Sequence, residues 1–250
     1  VSIGVPEYEL TPTVGEALLD KNIIQQVEYT CNQNINKAVL FTNLSRGVDV
    51  KLALELLSIS NFHLIVSVYA GNREEYKNVT GVDCFDVFCD NMASLLYSAK
   101  KRGVGGKIEW NMRFVPSNSD DSKMKVMLRM IDMYDMNVCK TYDNLNSRES
   151  VQKARHDGTV LVPKKIENKH ACRFALEDNC VDLSGDITLC GWFDIDKKNV
   201  IGNIFTEDIK IIYADDGMFA NILKDQRRGY FQGLCKYCDI HIFDKEYYKL

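Results

Sequence analysis

Five short runs rich in β-branched and aromatic residues alternate with helical patterns, and this alternation constrains the fold more than any other feature of the chain. The runs are YELTPTV at 8–14, KAVLFTN at 37–43, HLIVSVYAG at 63–71, KIEWNMRFV at 107–115 and MNVCKTY at 136–142. Between them apolar residues recur at helical spacing: Ile23, Ile24 and Val27; Val48, Leu52, Leu56 and Ile59; Phe85, Phe88, Met92, Leu95, Leu96 and Ala99; Met124, Met127, Leu128, Ile131 and Tyr134. Parallel neighbours need a crossover long enough to hold a helix, so the pattern predicts βαβ units around a parallel sheet. The methionines between Met124 and Met136 read as core packing plus one exposed face rather than as a cofactor box.

Two of the strands carry a polar face. In 63–71, Leu64, Val66 and Val68 form one apolar side and leave Ile65, Ser67 and Tyr69 opposite. In 107–115, Ile108, Trp110, Met112 and Phe114 leave Glu109, Asn111 and Arg113 opposite. A polar face on a strand flanked by helices predicts an interior lined for a charged ligand. The Arg113 guanidinium suits a carboxylate, with an interior ion pair to Glu109 or another acid as the alternative.

Composition narrows the class. With 46% hydrophobic and 26% charged residues, the 250-residue chain has the balance of a globular protein able to bury a sizeable core. Net charge is −4 and basic residues cluster no further than pairs such as Lys100–Lys101, so no nucleic-acid partner is expected. No apolar run approaches the ~20 residues needed to span a bilayer, so no membrane partner is expected either. Nine cysteines, an odd number, fit a reducing compartment such as the cytoplasm, where thiols serve metals rather than disulfides.

The cysteine spacing is the strongest chemical signal. Cys172, seventeen residues, Cys190, forty-four residues, Cys235, two residues and Cys238 make a quartet in which Cys190 closes a Gly-x-x-x-x-Cys turn. Four soft ligands of this kind suit zinc or an iron–sulfur cluster. Cys180 reads as a buried thiol, and Cys84 and Cys89 as packing residues at a helix start. His170 and His241 flank the quartet, whereas His63 and His156 have no partner legible in sequence.

The segment CRFALEDNCVDLSGDITLCGWFDIDKKNVIGNIFTEDI, followed by FANILKDQRRGYFQGLCKYC, resembles the auxiliary-cluster region of radical S-adenosylmethionine enzymes in its short twitch form, related to the longer SPASM form. The phrase IGNIF at 201–205 resembles the family's Leu-Gly-Asn-Ile. The resemblance implies that Cys172, Cys190, Cys235 and Cys238 hold one auxiliary 4Fe-4S cluster.

The first half is similar to the family's barrel. VGEALLDKNI at 14–23 resembles its Gly-Gly-Glu-Pro motif, with Val14 and Ala17 in place of the first Gly and the Pro, which implies the strand-end Glu16 at the methionine amino group and Gly15 among the cofactor-binding residues. LFTN at 40–43 and SVYAGNREEYKNVTGVDCFD at 67–86 resemble two further strand ends, implying Asn43 near the cofactor and Ser67 near its ribose or carboxylate. Arg113 is the candidate for the methionine carboxylate. The expected architecture is α/β: a partial parallel (β/α) barrel over 1–145, a linker over 146–168, and a small Cys-rich α+β twitch domain over 169–250.

The family's C-x-x-x-C-x-x-C triplet, which holds the reductive 4Fe-4S cluster, is nowhere among the nine cysteines. The expectation is a chain lacking its first strand and cluster loop. The resemblance implies reductive cleavage of S-adenosylmethionine, hydrogen abstraction by the deoxyadenosyl radical, and net oxidation or modification of a peptide, amino sugar or aminocyclitol, with electrons from a flavodoxin or ferredoxin. No catalytic base is legible. The alternatives are a zinc-stabilised binding module and a relative without radical activity.

Overall fold

In the computed structural model, the structure describes residues 7–11, 15–45, 47–113, 121–140, 171–191, 194, 197–236 and 238. The chain divides into two compact units, Val1–Asp143 and Asn144–Leu250. The expected linker at 146–168 lies outside the described residues, as do His156, His170 and His241. Among the described residues, no helix is long and apolar enough to cross a membrane.

The first unit is built on five parallel strands in sequential order: β1 (Glu7–Glu9), β2 (Lys37–Thr42), β3 (Phe62–Val68), β4 (Ile108–Met112) and β5 (Asn137–Lys140). Sequential parallel order is the order of (β/α) barrels, in which ligand sites lie at the carboxyl ends of the strands. Register sets Thr42 beside Val66, Ser67 beside Asn111 and Val68 beside Met112, so these strands end together along one edge. The strands are shorter than the β-rich runs. β1 stops at Glu9, and β3 stops at Val68, before Tyr69 and Ala70.

Helices α1 (Ile23–Cys31), α2 (Val50–Leu56), α3 (Arg73–Thr80), α4 (Phe85–Arg102) and α5 (Ser122–Met133) separate the strands. Their apolar faces and one face of the sheet share a core that includes Leu40, Leu64, Val66, Val68, Ile108, Trp110 and Met112. Each large side chain buried there contributes about 1.5–3 kcal/mol. The opposite face holds Val39, Ile65, Ser67 and Asn111, all buried outside that core. Val39 and Ile65 make that second face more apolar than the polar alternation implied.

Two helices depart from the sequence pattern. α2 buries Ala53, Leu54 and Leu56, whereas Leu52 and Ile59 are only partly buried. α3 has no apolar stripe and buries only Tyr76. It is defined instead by its ends: the Asn72 side chain accepts the Glu75 N–H at 2.9 Å, and Gly81 terminates it in the left-handed conformation.

At the opposite end of the sheet, the Lys107 ammonium donates to the carbonyls of Leu57 and Ile59, at 3.1 and 2.6 Å, and so ties the chain just beyond α2. Burial, followed by Lys37 and Lys107, holds the His63 pKa below its ordinary 6.5 despite a small opposing effect of Glu7. The unfolded chain therefore takes up this proton first, so stability falls as pH drops from about 6.5 through the folded-state value. The expected result is a melting temperature that declines between pH 7 and 5 more steeply for the native chain than for His63→Gln. Parallel curves would remove His63 as the cause.

The second unit contains an antiparallel sheet of β6 (Cys180–Val181), β7 (Asp186–Thr188) and β8 (Val200–Asn203). Helices α6 (Arg173–Glu177), α7 (Ile209–Ile212) and α8 (Met218–Arg227) accompany it. The hairpin between β6 and β7 turns at Gly185, where φ is +82° and a Cβ would stand 2.5 Å from the Phe205 ring. Glycine is thus required both by the backbone and by the ring lying over it. A small core of Ala171, Ala175, Ile187, Leu189, Ile201, Ile212 and Leu223 also includes Cys172.

Candidate cofactor edge and cysteine site

The carboxyl edge of the parallel sheet carries the residues singled out in the first unit. Glu16 is not at the end of β1 but caps a short 3-10 turn, Ala17–Leu19, directly after Gly15, whose φ is +119°. Its Oε1 accepts the Leu18 N–H at 3.1 Å, and its Oε2 accepts the Asn43 N–H at 2.8 Å. One carboxylate therefore ties the turn after β1 to the end of β2. Two backbone donors leave lone pairs on both oxygens for a further donor.

The turn after β2 is held from several directions. Asn43 Oδ1 accepts the Ser45 N–H at 2.8 Å, and the buried Thr42 hydroxyl accepts the Leu44 N–H at 3.1 Å. Asn91, on α4, donates to the Leu44 carbonyl at 3.0 Å. Leu44 is wholly buried with φ +48°, a conformation that a leucine adopts only where its surroundings enforce it. Thr42 lies in the LFTN motif, whereas Leu44 and Asn91 carried no signal in the sequence. Asn91 lies forty-eight residues beyond Asn43, and only the packing of α4 brings it there.

On the neighbouring strands, Ser67 is buried in β3 beside Asn111 of β4, on the face away from the main core. Arg113 follows β4, its N–H donating to the Val68 carbonyl at 2.9 Å. Its guanidinium lies 5.1 Å from the centroid of the Tyr69 ring, in cation–π range. The Arg113 Nε is buried with no hydrogen-bond partner among the described residues. Among the described residues, Arg113 forms no ion pair with Glu109 or another acid. Beneath this edge Tyr76 stacks on Phe88 at 5.5 Å. Burial, with smaller contributions from Cys84, Tyr69, Cys89 and Glu16, pushes its phenol up to about 12, as fits a residue of the core.

In the second unit, Cys172 immediately precedes α6, Cys190 follows β7 by two residues, and Cys235 lies in a 3-10 turn, Gly233–Lys236. Cys172 is buried, while Cys190, Cys235 and Cys238 are half-buried. Burial above all, and then Cys238, Cys172, Cys190 and Asp194, pushes the Cys235 thiol up to about 12. Among the described residues, no three His, Cys, Asp or Glu side chains are gathered tightly enough to hold a single metal ion. By donor chemistry alone, four cysteines free of disulfides suit zinc or an iron–sulfur cluster.

Amide side chains surround the quartet. Gln226 on α8 is completely buried, accepts the Cys172 N–H at 2.9 Å and places its amide nitrogen 3.8 Å from Cys235 Sγ. The Asn199 amide nitrogen lies 3.6 Å from the same sulfur. Asn199 is itself anchored, because its N–H donates to the buried Asp194 carboxylate at 2.7 Å and its carbonyl accepts the Leu189 N–H at 2.9 Å. Asn179 donates to the Leu189 carbonyl at 2.9 Å and accepts the Tyr213 hydroxyl at 2.9 Å, bracing the approach to Cys190. Among the described residues, none of the eight cysteines forms a disulfide. Cys180, expected to be buried, is only half-buried because it lies in the short strand β6, paired with Thr188, and burial pushes the Cys89 thiol up to about 12, in keeping with an inert packing residue.

No protein-family model matches the sequence, and no curated protein matches it. The structure is similar to two crystal structures of SuiB from Streptococcus suis, one of them bound to S-adenosylmethionine, with a TM-score of 0.55 in each case. Identity is 14% to the S-adenosylmethionine complex and 15% to the other, over 86% of this chain. The chain spans 56% and 57% of the respective SuiB chains, a little over half their length. At this identity the likeness is one of fold: a parallel α/β sheet unit followed by a smaller one, in an arrangement of chain shared with a protein that holds S-adenosylmethionine.

Proposed function

We propose that this protein is a radical S-adenosylmethionine enzyme with an auxiliary 4Fe-4S cluster held by Cys172, Cys190, Cys235 and Cys238. The observation that carries the reading is the carboxyl edge of the parallel sheet, where Glu16, Asn43, Ser67 and Arg113 stand on a fold shared with an S-adenosylmethionine-bound structure.

The charges fit the two ends of an amino acid. Glu16, positioned by two backbone N–H groups, offers an anion to an α-ammonium. Arg113, with its Nε buried and unpartnered among the described residues, offers a cation to an α-carboxylate. Asn43 and Ser67 lie at the ends of adjacent strands, where they can meet the polar groups of the nucleoside. Glu16, Asn43, Ser67 and Arg113 would hold S-adenosylmethionine, which with a reductive cluster supplied outside these residues would provide hydrogen-abstracting chemistry, and the cysteine quartet would hold a cluster able to accept an electron. The substrate class is a peptide, an amino sugar or an aminocyclitol, and the electron donor a flavodoxin or ferredoxin.

The test is anaerobic reconstitution of the natural protein and, beside it, of residues 1–250, followed by assay of deoxyadenosine after dithionite. The 250-residue chain contains no C-x-x-x-C-x-x-C, so it is expected to make none. A natural protein carrying that triplet is expected to make it. Absence of product from such a protein, loaded with iron and sulfide, would sink the enzyme reading.

A further inference from the structure

We propose that Gln226 and Asn199 are positioning residues that tune Cys235 as a cluster ligand and hold the auxiliary cluster at a higher reduction potential than the cysteines alone would set. The inference rests on the cluster reading above and adds to it two residues outside the cysteine motif.

Gln226 is the central observation. A completely buried carboxamide on α8 costs free energy unless both of its ends are hydrogen-bonded, and a leucine would fill the same space without that cost. Here the two ends have separate tasks. The carboxamide oxygen takes the Cys172 N–H at 2.9 Å, which leaves the amide nitrogen directed at Cys235 Sγ, 3.8 Å away. Since a backbone N–H can only donate, the orientation of the amide is determined rather than arbitrary. One side chain therefore bridges the first and third cysteines of the quartet, fifty-four and nine residues from it in sequence.

Asn199 approaches the same sulfur independently. Its amide nitrogen stands 3.6 Å from Cys235 Sγ, and the site is shaped for it. Gly233, with φ +50°, comes so close that a Cβ there would collide with the Asn199 side-chain oxygen. The glycine opening the Gly-Leu-Cys-Lys-Tyr-Cys segment thus serves the asparagine as well as the turn. Two N–H donors on one thiolate disperse its negative charge, and they do so most in the state where the cluster carries the extra electron. Hydrogen bonds to cluster sulfurs shift reduction potentials for this reason.

The test is potentiometric titration, followed by electron paramagnetic resonance, of the anaerobically purified 250-residue chain and of its Gln226→Glu, Gln226→Met and Asn199→Ala variants. Gln226→Glu keeps the acceptor for Cys172 but replaces the donor to sulfur with a negative oxygen. Its reduction equilibrium should weaken by about tenfold, a downward shift of about 59 mV for one electron, with iron and sulfide retained. Gln226→Met and Asn199→Ala should move the potential in the same direction by less. Potentials equal to the native value in variants that retain iron and sulfide overturn the inference. So does loss of the cluster from both Gln226 variants with Asn199→Ala unshifted, since that would make Gln226 structural only. A native chain without iron and sulfide would instead overturn the cluster reading itself.

Discussion

Anaerobically purified protein will be brown and will carry iron and sulfide in near-equal amounts, and alanine at Cys172, Cys190, Cys235 or Cys238 will remove most of both. Each of the four contributes one thiolate, so no variant retains the full ligand set. Cys84→Ala and Cys89→Ala serve as controls, because those thiols pack in or against the core of the first unit and should leave the iron content unchanged. Metal binding also couples to folding: on the proposed reading a cluster would tie together the chain before α6, the end of β7 and the turn at Gly233–Lys236. Each ligand variant should therefore also lower the melting temperature of the second unit. Stoichiometric zinc without sulfide would favour a zinc-stabilised binding module.

Glu16→Gln will weaken binding of S-adenosylmethionine to the anaerobically reconstituted holoenzyme by about 1.5–3 kcal/mol, roughly 10- to 150-fold, because a charge-assisted contact to an ammonium loses its anion. Titration calorimetry reads the effect directly. A second, smaller consequence comes from the fold. The carboxylate accepts N–H groups from both Leu18 and Asn43, and glutamine has a single acceptor oxygen, so one donor loses its partner at a cost of about 1 kcal/mol. Melting curves separate the two effects. Unchanged affinity in a folded variant would remove Glu16 from the cofactor site, and a loss of affinity matched by unfolding would assign it to the turn alone.

The sheet was legible because its signals are local. Alternation along 63–71 and 107–115 is a property of neighbouring residues, and it separated Leu64, Val66, Ile108 and Trp110 from Ser67 and Asn111 before any contact was known. The periodicity of α4 was equally clear, since Phe85, Phe88, Met92, Leu95, Leu96 and Ala99, which recur at helical spacing, are all buried. α3 was not legible, because a helix whose only buried residue is Tyr76 has no stripe to read. The early end of β1 was missed for a related reason: β propensity continues through Leu10 and Thr11, but Thr11 turns its hydroxyl to the Phe41 N–H instead of extending the ladder.

By itself, the sequence determined the element types wherever a period was present, the alternating faces of the strands and the spacing of the four cysteines, because each depends on residues a few positions apart or on residue chemistry alone. The tertiary structure decided which polar side chains surround those features. Nothing in the neighbourhood of Gln226 marks it as a partner of Cys172, fifty-four residues away, and nothing near Asn91 marks it as the anchor of Leu44. A buried hydrogen bond between distant positions leaves no period in the sequence. It exists only when packing excludes water from both groups and leaves each as the other's available partner.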